Sequence, residues 1–146
     1  RMYRTVTPPE AKALIDSDGH AYIDVRTEAE FAAGHADGAV NVPVVFAGPM
    51  GMQPNPDFAR IVAAHFPADA KLVVGCKVGG RSARACEILS ANGYTNLVNM
   101  DGGFLGRFDP MGQLVQPGWS QCGLPVSTES GDGIGYASLC AAADGK

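Results

Sequence analysis

The sequence lacks the features that mark metal, nucleic-acid and membrane proteins. Its four cysteines form no CxxC pair and have no zinc-type spacing to its three histidines, so no metal site is expected. The Lys and Arg residues are scattered and the formal net charge is −4, whereas a nucleic-acid-binding surface needs a basic patch. No apolar run approaches the roughly 18 residues of a membrane-spanning helix. We therefore expect neither nucleic-acid nor membrane partners.

Two further absences bear on the cellular compartment. The opening stretch RMYRTVTPPE contains no apolar segment of the kind found in signal peptides. A disulfide framework is unnecessary in a chain of 146 residues, because a domain of that size buries roughly 70% of its unfolded surface. Reduced thiols are the rule in the cytosol. These observations predict a cytoplasmic protein with reduced cysteines.

Strand-like and helix-like segments alternate along the chain. Helix-like segments, with apolar residues at helical spacing, cover residues 11–16, 57–66 and 82–92. Thr7 and Glu10 have the spacing of a capping box before the first of these helices. Five short runs bounded by turn residues have the character of strands, and they lie at residues 2–6, 21–25, 39–42, 71–75 and 96–100. The alternation predicts an α/β fold with a central, mainly parallel five-stranded sheet and helices on both faces.

The last part of the chain has a different composition. After residue 100 the alternation gives way to glycine, proline and single aromatic residues. The final stretch, STESGDGIGYASLCAAADGK, looks like a polar tail with little to pack. We expect a single domain over residues 3–126, followed by a polar C-terminal tail over residues 127–146.

One short stretch, GCKVGGRS, combines several features of a reactive thiol. Cys76 lies between a predicted strand and a predicted helix, the kind of junction at which parallel sheets form their ligand sites. Lys77 and Arg81 add positive charge, and Gly79 and Gly80 allow successive N–H groups to turn inward as an anion-binding nest. The stretch predicts a cysteine nucleophile for an anionic substrate. A buried structural cysteine before a helix is the plainer alternative.

Three motifs in this sequence are similar to motifs of one protein family. The stretch CKVGGRS resembles the C-x-x-G-x-R-S active-site loop of single-domain rhodanese sulfurtransferases. The series YIDVR, EF and GHADGAVNVP, within residues 22–43, resembles the second signature of that family. The series NMDGG, GW and GLP, within residues 99–125, is similar to its closing segment. The resemblance covers about residues 3–126 and implies a rhodanese-like fold.

The resemblance also implies the identity of the nucleophile and of the groups that bind the donor. Cys76 matches the cysteine that takes a sulfane sulfur from a donor as a persulfide and passes it to an acceptor. The side chains of Lys77 and Arg81 would attract an anionic donor. The backbone amides of the three residues between them would complete the anion site, and these residues are Val78, Gly79 and Gly80.

Three further residues come from the second signature. Arg26 follows the second predicted strand and matches an arginine that contributes to the anion site in some relatives. A structural ion pair with a nearby carboxylate is an equal alternative for this arginine. Asp24 is expected to have an orienting or structural role. His35 is expected to form structural hydrogen bonds rather than to act as a base.

The activity implied by the resemblance is sulfur transfer. The expected reaction moves a sulfane sulfur from thiosulfate or a related small anionic donor to cyanide or to a thiol acceptor, including one on a protein. No metal or organic cofactor is needed, because the Cys76 persulfide carries the sulfur. The chain departs from the family pattern at Gly75, where many relatives have an aromatic residue or histidine, and at Val78, where double-domain thiosulfate enzymes often have lysine. A strong preference for thiosulfate therefore does not follow.

Two other functions remain open from the sequence. One is a rhodanese-like binding module that docks a partner without catalysis, although inactive modules often lack the cysteine. The other is a thiolate phosphatase or arsenate reductase. These enzymes have a longer loop between cysteine and arginine, whereas only four residues separate Cys76 from Arg81.

Overall fold

The computed structural model describes residues 2–145 of the chain. The helices are α1 (Pro8–Ser17), α2 (Glu28–Ala33), α3 (Phe58–His65), α4 (Gly80–Ala91) and α5 (Tyr136–Asp144). The strands are β1 (Arg4–Val6), β2 (Ala21–Asp24), β3 (His35–Ala36), β4 (Val40–Asn41), β5 (Val45–Gly48), β6 (Gly51–Pro54), β7 (Lys71–Gly75), β8 (Asn96–Met100), β9 (Arg107–Phe108), β10 (Leu114–Gln116) and β11 (Val126–Ser127). None of the helices in this part of the chain is long and apolar enough to cross a membrane.

The central sheet has five strands in the order β1-β8-β7-β2-β4. All of its neighbouring strands are parallel, and they are the five strands predicted from the sequence. Asp24 at the end of β2 pairs with Gly75 at the end of β7. The chain segments that follow these two strands therefore leave the same edge of the sheet, side by side.

Helices cover both faces of this sheet, which confirms the predicted architecture. Leu72 and Val74 of β7 belong to a core that also contains buried side chains of α3, α4 and α5. Val73 belongs to a second core, together with Ala11 of α1 and Phe31 of α2. Because side chains alternate between the two faces of a strand, a strand buried on both faces has a continuous apolar run.

Two helices begin with the same capping motif. The predicted capping box of α1 is present: the Thr7 N–H donates to Glu10 Oε1 at 2.8 Å and the Glu10 N–H to Thr7 Oγ1 at 3.4 Å. Helix α2, which was not predicted, starts with a second box. There the Thr27 N–H donates to Glu30 Oε1 at 3.1 Å and the Glu30 N–H to Thr27 Oγ1 at 3.3 Å. At six residues, α2 is too short to show a helical period.

The C-terminal segment is folded, so the expectation that it has little to pack is wrong. Strand β11 pairs antiparallel with β3, and helix α5 packs in the core that contains α3. Tyr136 and Leu139 of α5 are 8% and 4% exposed. These two apolar anchors are too few to give a visible period, and their burial depends on a surface formed by a distant part of the chain. Residue 146 lies outside the described residues.

Candidate active site

Cys76 lies in the turn between β7 and α4 and is 1% exposed. The Gly79 N–H donates to its Sγ at 3.1 Å, and the thiol donates to Ser82 Oγ at 3.4 Å. Gly79 has a φ of 133° and is the N-cap of α4, so the helix begins at Gly80, earlier than predicted. The sulfur therefore lies at a helix N-terminus, where free N–H groups and the helix dipole favour negative charge.

Ser82 links the thiol to the neighbouring strand β8. Its hydroxyl lies 2.6 Å from Asn99 Oδ1, and both residues are buried. A hydroxyl has one proton to donate, so Ser82 donates to Asn99 while its oxygen accepts from Cys76. Sequence reasoning missed these two residues as part of the site. The available signals were the serine that closes the loop motif and the place of Asn99 near the carboxyl end of a parallel strand.

The segment after β8 packs against the back of the Cys76 turn. The Phe104 N–H donates to Cys76 O at 2.7 Å and the Leu105 N–H donates to Lys77 O at 3.0 Å. This approach requires glycine at position 103, because a Cβ on Gly103 would overlap the Cys76 carbonyl oxygen and lie 2.6 Å from Lys77 O. The segment thereby holds the backbone of the turn in place.

Arg81 is already paired with a carboxylate. Its Nη1 donates to Glu30 Oε1 at 2.7 Å and its Nη2 to Glu30 Oε2 at 2.9 Å. The hydrogen bond from Arg81 is the main cause that lowers the pKa of Glu30 from 4.5 to about 2, and the same bond raises the pKa of Arg81. Glu30 belongs to the EF element of the second motif, but the sequence pattern alone does not place it beside Arg81.

Arg26 forms the ion pair that was one of its two expected roles. Its Nη2 lies 2.7 Å from Asp24 Oδ2, and its Nε donates to Asp24 Oδ1 at 3.0 Å. The Nη2 atom also donates to Gly34 O at 2.7 Å, and the guanidinium lies 4.7 Å from the centre of the Phe104 ring. Both partners of the pair are buried. Binding of an anion by Arg26 stays a prediction.

An open cavity of about 280 Å³ lies beside the Cys76 turn, and we call it the mouth. Lys77 faces it and has no ion-pair partner within residues 2–145. The next residue, Val78, is 43% exposed. The mouth is lined by Arg26, Glu30, Ala33, Gly34, Lys77, Phe104 and Leu105. A larger cavity of about 310 Å³ lies at the opposite end of the strands, near Arg4 and Asn96 and away from the Cys76 turn.

His35 lies apart from the mouth. Its ring stacks on Phe31 with 3.6 Å between ring centres. Its Nδ1 lies 2.9 Å from Ala36 O and its Nε2 lies 2.6 Å from Glu129 O. Both ring nitrogens therefore contact backbone carbonyls, and the residue connects β3 to the segment before α5.

The other cysteines are not part of the Cys76 turn, and no cysteine of the described residues lines the mouth. Cys86 is fully buried in α4, and this burial raises the pKa of its thiol to about 12. Cys122 and Cys140 are partly buried. A thiol that stays protonated at neutral pH is a poor nucleophile, so Cys86 is unsuited to chemistry at this site.

The family is shown by comparison with known proteins. Residues 7–106 match the family model described as Rhodanese-like domain. The chain belongs to the rhodanese-like domain family. Two solved structures extend the comparison. The protein Rv0390 of M. tuberculosis is 28% identical, with a TM-score of 0.70 over 86% of this chain and 97% of that chain. A rhodanese-related protein of Thermoplasma volcanium is 26% identical, with a TM-score of 0.60 over 87% of this chain and 100% of that chain.

Two curated relatives of this rhodanese-like domain are proteins of Arabidopsis thaliana. It is 41% identical over 108 residues to "Thiosulfate sulfurtransferase 16, chloroplastic", covering 74% of this chain and 80% of that protein. It is 44% identical over 100 residues to "Protein HIGH ARSENIC CONTENT 1, mitochondrial", covering 68% of this chain and 59% of that protein. The chain thus spans somewhat more than half the length of the second relative.

These names also correct one expectation from the sequence. The two relatives are named as chloroplastic and mitochondrial proteins, which contradicts the predicted cytoplasmic location. The prediction was wrong because reduced cysteines and an ordinary globular composition are compatible with several compartments.

Proposed function

We propose that this rhodanese-like domain is a sulfurtransferase that carries a sulfane sulfur on Cys76 from a donor to cyanide or to a thiol acceptor. One observation carries the proposal: Cys76 Sγ accepts a hydrogen bond from the Gly79 N–H at 3.1 Å, at the N-terminus of α4. The thiolate is the nucleophilic form of cysteine, and helix N-termini favour it. Thiosulfate is the donor for a first test, since one relative is named a thiosulfate sulfurtransferase.

In the first half-reaction the Cys76 thiolate, having lost its proton to solvent, attacks the outer sulfur of thiosulfate. A bond forms between Sγ and that sulfur. The S–S bond of the donor breaks, and its electron pair leaves with sulfite. The negative charge that stays on the new persulfide lies near the Gly79 N–H and the first N–H groups of α4, which are free of helical acceptors.

In the second half-reaction the carbon of cyanide, or the sulfur of a thiolate, attacks the outer sulfur of the persulfide. The new bond to the acceptor forms as the bond between that sulfur and Sγ breaks. The electron pair returns to Cys76 as thiolate. Because the S–S bond places the added sulfur about 2 Å beyond Sγ, the acceptor has to reach this outer sulfur and not the buried Sγ itself. A thiolate on another protein would attack the outer sulfur of the persulfide in the same way.

The alternatives have less support. The short loop from Cys76 to Arg81 leaves four residues for the anion site, and thiolate phosphatases and arsenate reductases have a longer loop. A binding module without catalysis would not need a thiol held by Gly79 and Ser82. No observation on this chain favours either function over sulfur transfer.

The direct test is intact-mass analysis after incubation with thiosulfate and mild desalting. We expect the protein to gain the mass of one sulfur atom, located on Cys76 by peptide mapping and lost as thiocyanate when cyanide is added. Cys76→Ser should abolish both the mass gain and turnover. The matched controls are Cys86→Ser, Cys122→Ser and Cys140→Ser, which should keep most of the activity. Full turnover by Cys76→Ser would refute the proposed function.

A further inference from the structure

The charged groups around the mouth are nearly all paired with each other. Arg81 is held by both carboxylate oxygens of Glu30, at 2.7 and 2.9 Å. Arg26 is held by Asp24 at 2.7 Å. Within residues 2–145, Lys77 is the cation of the mouth without an ion-pair partner. Two of the three cations expected to attract a donor are thus neutralised by carboxylates of the same chain, and the attraction for a dianion is correspondingly weak.

The rest of the mouth offers apolar surface. Ala33 and the Phe104 ring line the cavity, together with Leu105, which is 40% exposed. Val78 beside Lys77 is 43% exposed. Thiosulfate has no carbon atoms that could cover this surface, whereas the carbon chain of an organic sulfur compound would remove it from water.

We infer that, within the sulfurtransferase proposed above, Glu30 is a specificity-determining residue that selects organic persulfides, R–S–SH, carrying at most one charged group over dianionic donors. The carbon chain of such a donor packs against the apolar side of the mouth. A single carboxylate on the donor pairs with Lys77. Glu30 acts by neutralising Arg81, and its charge opposes a second negative charge on the donor.

Sulfur transfer from this donor follows the same course as the first half-reaction. The Cys76 thiolate attacks the outer sulfur of R–S–SH, and a bond forms between Sγ and that sulfur. The S–S bond of the donor breaks, and its electron pair leaves on the thiolate R–S⁻. The hydrogen stays on the transferred sulfur, so that Cys76 becomes Cys76–S–SH. Unlike thiosulfate, which carries two negative charges, the persulfide group of this donor enters the mouth uncharged.

The substitution Glu30→Gln isolates the charge of this residue. Glutamine has nearly the same shape and can serve at this position of a capping box, so the bond from the Thr27 N–H can be kept. Its amide oxygen can still accept a hydrogen bond from Arg81. What is lost is the negative charge and one of the two hydrogen bonds from Arg81, because the amide nitrogen cannot accept. Arg81 is then a cation available to the donor.

The experiment compares initial rates of persulfide formation on Cys76, followed by intact mass, with two donors. One is thiosulfate and the other is the persulfide of N-acetylcysteine, which has a single carboxylate. The unaltered protein should load faster from the persulfide at equal concentration. Glu30→Gln should raise the thiosulfate-to-persulfide ratio of rate constants about five- to tenfold, and added salt should diminish that gain. Glu10→Gln is the matched control, since it changes the capping box of α1 away from the mouth, and it should leave the ratio unchanged.

The outcomes separate the two proposals. If both donors load Cys76 and Glu30→Gln leaves their ratio unchanged, the role of Glu30 is refuted and sulfur transfer stands. Faster loading of the unaltered protein by thiosulfate than by the persulfide also refutes it, and this measurement needs no variant to fold. If neither donor loads Cys76, the proposed function fails and this inference fails with it.

Discussion

The ion pair between Glu30 and Arg81 should contribute measurably to the stability of the fold as well as to the charge of the mouth. It connects the first turn of α2 to the first turn of α4. Replacing Glu30 by glutamine keeps the side-chain shape but removes one charge of a bidentate pair, which is the stronger kind of ion pair. We therefore expect Glu30→Gln to lower the free energy of unfolding at pH 7.

The size of this loss in unfolding free energy follows from the pKa of Glu30. Its hydrogen bond from Arg81 is the largest cause that lowers this pKa from 4.5 to about 2, a shift equivalent to at most about 3 kcal/mol at pH 7. The side chains of Arg81 and Glu30 are 21% and 28% exposed, and solvent screens such a pair. A loss of about 1–2 kcal/mol is therefore the expected result.

The dependence on pH has a definite sign. Because folding lowers the pKa of Glu30, its contribution is complete above pH 4.5 and declines as the pH falls towards about 2. More than about half of the contribution should be absent at pH 3. The difference in unfolding free energy between the unaltered protein and Glu30→Gln should shrink in the same range, because below pH 4.5 Glu30 is protonated in the unfolded chain and must lose this proton on folding to form the ion pair.

Urea unfolding at several pH values, followed by fluorescence, measures these quantities. The chain has a single tryptophan, and Trp119 is buried at 1% exposure, so its emission reports the core. Glu10→Gln provides the control, because Glu10 has the same place in a capping box but forms no ion pair with an arginine in the described residues. The prediction is refuted if Glu30→Gln lowers the free energy of unfolding no more than Glu10→Gln does at pH 7. It is also refuted if the loss caused by Glu30→Gln is as large at pH 3 as at pH 7.

Two further predictions concern the turn itself and the neighbouring thiol. Gly103→Ala should lower the free energy of unfolding in urea by about 2 kcal/mol more than Gly19→Ala does. The two glycines have similar φ values, 54° and 66°, but of the two only Gly103 lies where an added Cβ would overlap other atoms. Equal costs would contradict the close approach to Cys76. With iodoacetamide at pH 8, peptide mapping should find Cys76 labelled and Cys86 unlabelled in the folded protein, because burial raises the pKa of Cys86 to about 12. Labelling of Cys86 before Cys76 would contradict this assignment.

The central sheet could be predicted because its signals are local. Residues 71–75 and 96–100 were expected to be strands and are strands β7 and β8 with the same limits. A parallel strand buried on both faces needs an apolar run between turn residues, and this pattern lies within the strand itself. Helix α2 and strand β3 were missed because each is too short to hold a pattern.

The C-terminal helix shows the opposite case. Helix α5 contains several alanines and few large apolar side chains, so its own sequence gives a weak signal of burial. Its place in the fold depends on α3 and on contacts such as the hydrogen bond from Asn55 Nδ2 to Tyr136 Oη at 2.9 Å. Asn55 and Tyr136 are 81 residues apart in the sequence, so no local pattern links them.

By itself the sequence determined the parallel sheet and the thiol turn, because a strand, two glycines and a helix start are specified by neighbouring residues. Gly79 and the N-terminus of α4 lie beside Cys76 as that local pattern requires. Only the tertiary structure decided the charge of the mouth. Arg81 and Glu30 are 51 residues apart in sequence, and a pattern of cations cannot show which carboxylate folding will bring against them. The turn alone carries the two cations Lys77 and Arg81, whereas in the folded protein the packing of α2 against the start of α4 places Glu30 on Arg81 and neutralises one of them.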